Sequence, residues 1–198
     1  THARKGGPMK KLTLITAITL ALASYAPSAA ISAEQAPAEE PDHSSFFIDF
    51  LIQYDKEQTL LEQQVAAFEA AQLRAAAISK RITQLEKHVE KTWYVFSGST
   101  PEGWDCSGLV KWFYLDFQVE LEHSATAQKY SGEIIDEPIA GDVVGFSHKG
   151  SEKVYHNGIY IGSDLFIHSP RVGARTKISS VSEYAGEHSK ISYTRINF

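Results

Sequence analysis

Gly103-Trp104-Asp105-Cys106-Ser107-Gly108-Leu109-Val110-Lys111-Trp112-Phe113-Tyr114 contains the only cysteine of this 198-residue chain. Glycines at 103 and 108 bracket the thiol, and an apolar run free of Gly and Pro follows it. That spacing predicts a loop that turns into a helix at Cys106 and runs to about Phe117, with Asp105 as its cap. A helix N-terminus presents unpaired N–H groups and about half a positive charge, so the thiol is expected to ionise below its free pKa of about 8.5. A thiolate needs a base or cationic partner to become a catalyst, and the candidates are two downstream histidines, His156 and His168. A buried structural cysteine is the plain alternative for so small an apolar side chain, and the glycines and histidines weigh against it.

Four further blocks flank the cysteine in order: Tyr94 before it, then Gly141-Asp142-Val143-Val144-Gly145-Phe146, His156-Asn157-Gly158-Ile159-Tyr160-Ile161-Gly162 and Phe166-Ile167-His168. Together with Asp105-Cys106-Ser107-Gly108 they resemble the NlpC-like family of cell-wall cysteine peptidases over residues 78–198. The resemblance implies a papain-like α+β fold, helices packed on an antiparallel sheet, with Cys before His. It implies Cys106 as nucleophile, His156 as base, His168 as the group orienting that base and Tyr94 beside the oxyanion site. Neither a cofactor nor a metal belongs to this chemistry, and no Cys-x-x-Cys or His-x-x-x-His pair offers metal ligands. The implied substrate is the peptidoglycan stem peptide, cut between D-glutamate and the diamino acid. Hydrolysis of the N-acetylmuramoyl amide, or a non-catalytic envelope interaction protein whose working part is its helical arm, are the alternatives. The chain departs from the family in two places. The family's Gly-Gly after the tyrosine reads Ser97-Gly98, an exchange compatible with a negative φ at 97. Its Leu-Pro-Arg-x-Ser segment reads Leu121-Glu122-His123-Ser124-Ala125, which removes a cleft-side cation and is expected to alter substrate preference.

Residues 1–33 carry Arg4, Lys5, Lys10 and Lys11 and no acid. Met9-Lys10-Lys11, the apolar residues 12–23 and the small residues Ala29, Ala30, Ser32 and Ala33 read as a secretory signal peptide, with the protein secreted to the periplasm or cell envelope. An apolar run of about a dozen residues is short of the ~20 that a transmembrane anchor needs. Without those four bases the rest of the chain has 15 basic and 24 acidic side chains, a formal charge of −9. No basic stripe remains for phosphates, which argues against nucleic acid as a partner.

Residues 34–43, rich in Pro, Ala and Glu, read as a flexible tether. Residues 44–92 contain neither Gly nor Pro, and Leu61, Val65, Phe68, Ala71, Ala75, Ile78, Ile82, Leu85 and Val89 recur at helical spacing. This predicts a long amphipathic helix or a helical hairpin, whose part over residues 44–77 is an arm outside the family resemblance. The arm either packs back on its own domain or meets a protein partner or a second copy. Beyond it the expected elements are a strand-like Trp93-Tyr94-Val95-Phe96, the cysteine helix, a short helix capped by Ser124, strands over 142–147, 154–161 and 165–169, a helix near 181–186 and a last strand over 190–196. His88, His123, His148 and His188 sit in no motif and read as surface residues.

Overall fold

With no Gly or Pro to interrupt it, the apolar-periodic stretch forms one continuous helix, α1 (His43–Glu86), and not a hairpin. The computed structural model describes residues 43–198; the signal-peptide reading of 1–33 and all but the last residue of the tether read over 34–43 fall outside them, and that last residue, His43, is helical rather than tether. No helix among the described residues is long and apolar enough to cross a membrane. The chain divides after residue 52 into two compact units. Of the first, the opening of α1 is described; the second, residues 53–198, holds everything that follows. Residues 53–73 of α1 are all exposed, Leu60, Leu61, Val65, Phe68 and Leu73 included. Packing begins at Arg74, whose Nη2 donates to the Ile196 carbonyl at 2.8 Å and whose guanidinium lies 4.7 Å from the centre of the Phe198 ring. Ile78 and Leu85 then enter the core.

Trp93 and Tyr94 make only isolated bridges, to Arg175 and Trp104, so the expected strand there is absent. A hairpin of two-residue strands, β1 (Ser99–Thr100) and β2 (Gly103–Trp104), delivers the chain to α2 (Cys106–Leu115). The helix stops two residues before Phe117. Arg81 of α1 grips its end, donating to the carbonyls of Phe113 at 3.0 Å and Trp112 at 2.5 Å and stacking over the Trp112 ring at 3.6 Å. A guanidinium on the last carbonyls answers the negative end of the helix dipole.

The short α3 (Ala125–Lys129) starts at Ser124, whose hydroxyl accepts the Ala127 N–H as expected of a cap. Six strands follow: β3 (Glu133–Ile135), β4 (Val143–His148), β5 (Val154–Gly162), β6 (Leu165–His168), β7 (Lys177–Ser180) and β8 (Ser189–Arg195). The helix α4 (Val181–Ala185) lies between the last two. All pairings in the sheet are antiparallel, in the order β3-β8-β4-β5-β6-β7. β5 and β6 are joined through Ser163 and Asp164, both at positive φ as a type I′ turn requires.

Alternation along the strands divides the core in two. Val143, Ile159 and Ile167 face one way, against Leu109, Val110, Phe113 and Tyr114 of α2 and against Ile78 and Leu85 of α1. Val144, Phe146 and Phe166 face the other way, against Val181 and Ala185 of α4. An apolar groove of about 680 Å³ between α1 and the sheet, lined by Ala75, Ile78, Ile82, Ile139 and Ile161, includes neither the cysteine nor the histidines.

Candidate active site

Cys106 is the first residue of α2, and the residue before it organises the turn. Asp105 is the N-cap, in extended backbone. Its Oδ1 accepts from the Gly108 N–H at 2.7 Å, the Ser107 hydroxyl at 3.0 Å and His123 Nε2 at 2.8 Å, while Oδ2 accepts from the Ser97 N–H at 3.0 Å. These bonds hold the Asp105 carboxyl below its usual pKa even though it is buried. Gly108 is required by a close approach: a Cβ there would collide with the carbonyl of Gly98.

The thiol behaves differently from the sequence expectation. Its pKa is raised, first by burial and then by the Asp105 carboxylate, against the smaller opposing pull of the N–H groups of Asn157, Ser107 and Cys106 itself. The helix N-terminus does favour ionisation, but desolvation and an adjoining anion outweigh it. The same bonding puts the sulfur within reach of the N–H of Asn157, the residue after His156.

His156 on β5 and His168 on β6 project from the face that carries Phe146 and Phe166, and both are buried. His156 Nε2 lies 2.7 Å from His168 Nδ1, and His168 Nε2 lies 3.0 Å from the hydroxyl of Ser179 on β7. Gly158 is required by the close approach of β6: a Cβ there would stand 2.5 Å from the Ile167 carbonyl oxygen and 2.8 Å from the Phe166 ring. Burial lowers the His156 pKa to about 4 and depresses His168 as well, with His156 and Lys177 as lesser causes for the latter. Both imidazoles are therefore neutral at pH 7. Tyr94 is half-buried; its N–H donates to the Ala174 carbonyl at 2.9 Å, and its phenol pKa is raised by burial and then by Cys106 and Asp105, whose charges it senses. The structure thus brings Cys106, Tyr94 and Asp105 to one end of α2 and His156 to His168, with Asn157 joining the two groups.

Several residues around this site were missed in the sequence. Tyr184 of α4 sets its ring 4.9 Å from His156 and 5.0 Å from His168, and its phenol is pushed up to about 12 by burial, with Cys106 among the lesser causes. Gln128 of α3 donates to the carbonyls of Ser107 and Glu122 at 2.9 and 2.7 Å and accepts from Asn157 Nδ2 at 2.7 Å, which ties α2, α3 and β5 together. Asn157 Oδ1 is buried with no partner among the described residues. His123 is exposed, as read from the sequence, but its ring is bound to the cap of the cysteine helix. His88, read likewise, is half-buried with its ring 5.2 Å from Trp104 and 5.5 Å from Trp112. Ser97, an exchange that a negative φ would have made easy, has φ +58°, a left-handed conformation that suits the family's glycine better. Offset by tens of residues in the chain, these partners carry no local motif; only the tightness of Asp-Cys-Ser-Gly hinted that its neighbours were constrained.

A cysteine at the start of a helix packed on an antiparallel sheet, with paired histidines on two neighbouring strands, is a papain-like α+β arrangement. Residues 91–195, over half of the chain, match the NlpC/P60 family, and the chain belongs to it. It is 36% identical over 114 residues to the murein DD-endopeptidase MepH of Escherichia coli, covering 54% of this chain and 40% of that protein. It is 41% identical over 106 residues to the gamma-DL-glutamyl hydrolase of Bacillus subtilis, covering 52% and 25%. The chain thus spans well under half the length of these relatives. Among solved structures, the NlpC/p60 domain of the peptidoglycan hydrolase SagA superposes with a TM-score of 0.52 at 28% identity, covering 61% of this chain and 97% of that one.

Proposed function

We propose that this protein is an exported peptidoglycan hydrolase, a cysteine endopeptidase that cuts stem peptides between D-glutamate and the diamino acid. Residues 78–198 form its catalytic domain and residues 44–77 an arm that engages a protein partner or a second copy. Family membership supports the chemistry, and the names of MepH and the gamma-DL-glutamyl hydrolase support a cell-wall or D-glutamyl substrate. The observation that carries the reading is the 2.7 Å bond from His156 Nε2 to His168, which leaves His156 Nδ1 as the ring nitrogen for the thiol.

A raised thiol pKa beside a lowered imidazole pKa makes the resting pair neutral, so proton transfer accompanies attack. Cys106 Sγ adds to the amide carbonyl carbon while its proton passes to His156 Nδ1. The oxyanion accepts hydrogen bonds from the Cys106 N–H and the Tyr94 hydroxyl, each such donor lowering the barrier by ~3 kcal/mol. The carbon–nitrogen bond breaks as His156 returns the proton to the leaving amine, and a thioester remains. Water, deprotonated by His156, then attacks the thioester; the acid departs and the thiol is restored. His168 holds the imidazole in its Nε2–H tautomer throughout.

Incubation with muropeptides, with products read by mass spectrometry, tests the proposal. The expected products are a fragment ending in D-glutamate and one beginning at the diamino acid. Intact stem peptides released from muramic acid would mark an N-acetylmuramoyl-amide hydrolase. No product at all would leave the arm as the working part.

A further inference from the structure

The pair of histidines does not end at His168. Its Nε2 meets the hydroxyl of Ser179, on the neighbouring strand and on the same face of the sheet. We propose that Ser179 is a positioning residue for the hydrolysis proposed above: by accepting a hydrogen bond from His168 Nε2–H it selects the tautomer chain in which His156 Nδ1 is free to take the thiol proton.

Two neutral chains are compatible with the distances. In the productive one His156 Nε2–H points to His168 Nδ1 and His168 Nε2–H to Ser179 Oγ, which leaves a lone pair on His156 Nδ1 for the thiol proton. In the reversed one every proton sits on the opposite nitrogen, Ser179 donates, and His156 turns an N–H toward the thiol, where it cannot act as a base. A serine closes either chain. The choice between them depends on what Ser179 allows at the far end. It is half-buried and lines a shallow pocket with Leu165, Ile178, Glu183 and Tyr184, so its own hydrogen can reach water while its lone pair takes the His168 proton.

Without that hydroxyl the balance changes for a specific reason. His168 is fully buried, and the productive chain would leave its Nε2–H unpaired, whereas the reversed chain would leave only a lone pair unpaired. A buried N–H without a partner is the more costly of the two. Ser179→Ala therefore shifts the pair toward the reversed tautomer and empties the state in which His156 is a base. Neither Asn157 nor the Asp105 cap is hydrogen-bonded to Ser179, so Cys106 and its helix stay in place.

The test uses 15N-histidine-labelled protein and steady-state cleavage of a soluble muropeptide, for wild type, Ser179→Ala and Ser179→Thr, each also in a His168→Asn background. In wild type, His168 should show a protonated Nε2 and an unprotonated Nδ1. Ser179→Ala should move His168 toward Nδ1–H and lower kcat roughly tenfold with KM within about twofold, and Ser179→Thr should restore both. In the His168→Asn background, Ser179→Ala should change kcat by less than about twofold, because Ser179 acts through His168 alone. An unchanged 15N pattern in Ser179→Ala, or the same loss of kcat in both backgrounds, overturns the proposal. Should wild type cleave nothing, the hydrolase reading fails while the 15N comparison still decides the role of Ser179.

Discussion

At the scale of single residues, the site depends on Asp105 as much as on the thiol it precedes. Its two oxygens collect four donors from three segments of chain, and so fix the turn from which Cys106 projects. Cys106→Ala leaves that cap intact and deletes only the proposed nucleophile; we expect a folded protein with no turnover, checked by circular dichroism and muropeptide cleavage, and retention of more than a few per cent of activity would reject the mechanism. His156→Ala should be equally inactive. His168→Asn should keep partial activity, since an amide oxygen can still accept the orienting bond. The reverse result would exchange base and orienter. Ser97 supplies a stability test. Relief of its left-handed backbone is worth ~1–2 kcal/mol and the extra freedom of glycine when unfolded costs ~0.5–1, so Ser97→Gly should stabilise by about 0.5–1 kcal/mol in urea titrations. A lower midpoint would show that Ser97 is held there without strain.

At the scale of elements, the five-residue α4 sets Tyr184 against the histidines, and residues 55–73 of α1 are exposed. Tyr184 contributes to the burial that lowers the His156 pKa to about 4. In the proposed mechanism His156 must be neutral, so activity should persist on the acid side until His156 protonates. Tyr184→Ala admits water and should move that acid limb toward the ordinary histidine value of about 6.5. An acid limb unmoved in the kcat/KM profile would remove Tyr184 from this role. For the arm, the proposed protein partner or second copy would cover Leu60, Leu61, Val65, Phe68 and Leu73, all of them exposed. A chain beginning at Leu73 keeps Arg74 and its bond to Ile196. Such a truncation should leave turnover of small muropeptides unchanged and lose an oligomer or a captured partner, measured by light scattering and pull-down. A faster enzyme of unchanged particle mass would instead make the arm a lid.

For the whole molecule, two buried neutral histidines couple folding to pH. Each has a folded pKa below its unfolded value, so the unfolded chain binds more protons as pH falls. Stability should be fully present above about pH 6.5 and decline toward pH 4, with His156 alone accounting for roughly 3 kcal/mol by the size of its shift. Urea midpoints across that range check the sign, and His168→Asn should flatten the decline. A midpoint that rose on acidification would contradict the burial.

The sequence by itself determined the elements with strong local signals. The helix start at Cys106 followed from Gly and Asp around an apolar run, and the helical character of α1 from its apolar spacing and lack of breakers, while a single helix and a hairpin both remained open until the structure showed one helix. The strands β4, β5, β6 and β8 followed from alternation and turn residues, and the order of the five blocks identified the family. Short strands such as β7 carried no such signal, and Ser179 was missed with it. Only the tertiary structure decided what depends on distance between segments far apart in the chain. The sign of the Cys106 shift is one such case, because a helix N-terminus is a local property while desolvation depends on everything packed around the sulfur. The contact between His123 and Asp105 is another, since eighteen residues separate them and no periodicity links the two. The same holds for Ser179 and Tyr184, brought to the histidines by strand pairing and by α4. Local chemistry is written along the chain; electrostatic environment is a sum over neighbours, and those exist only once the chain has folded.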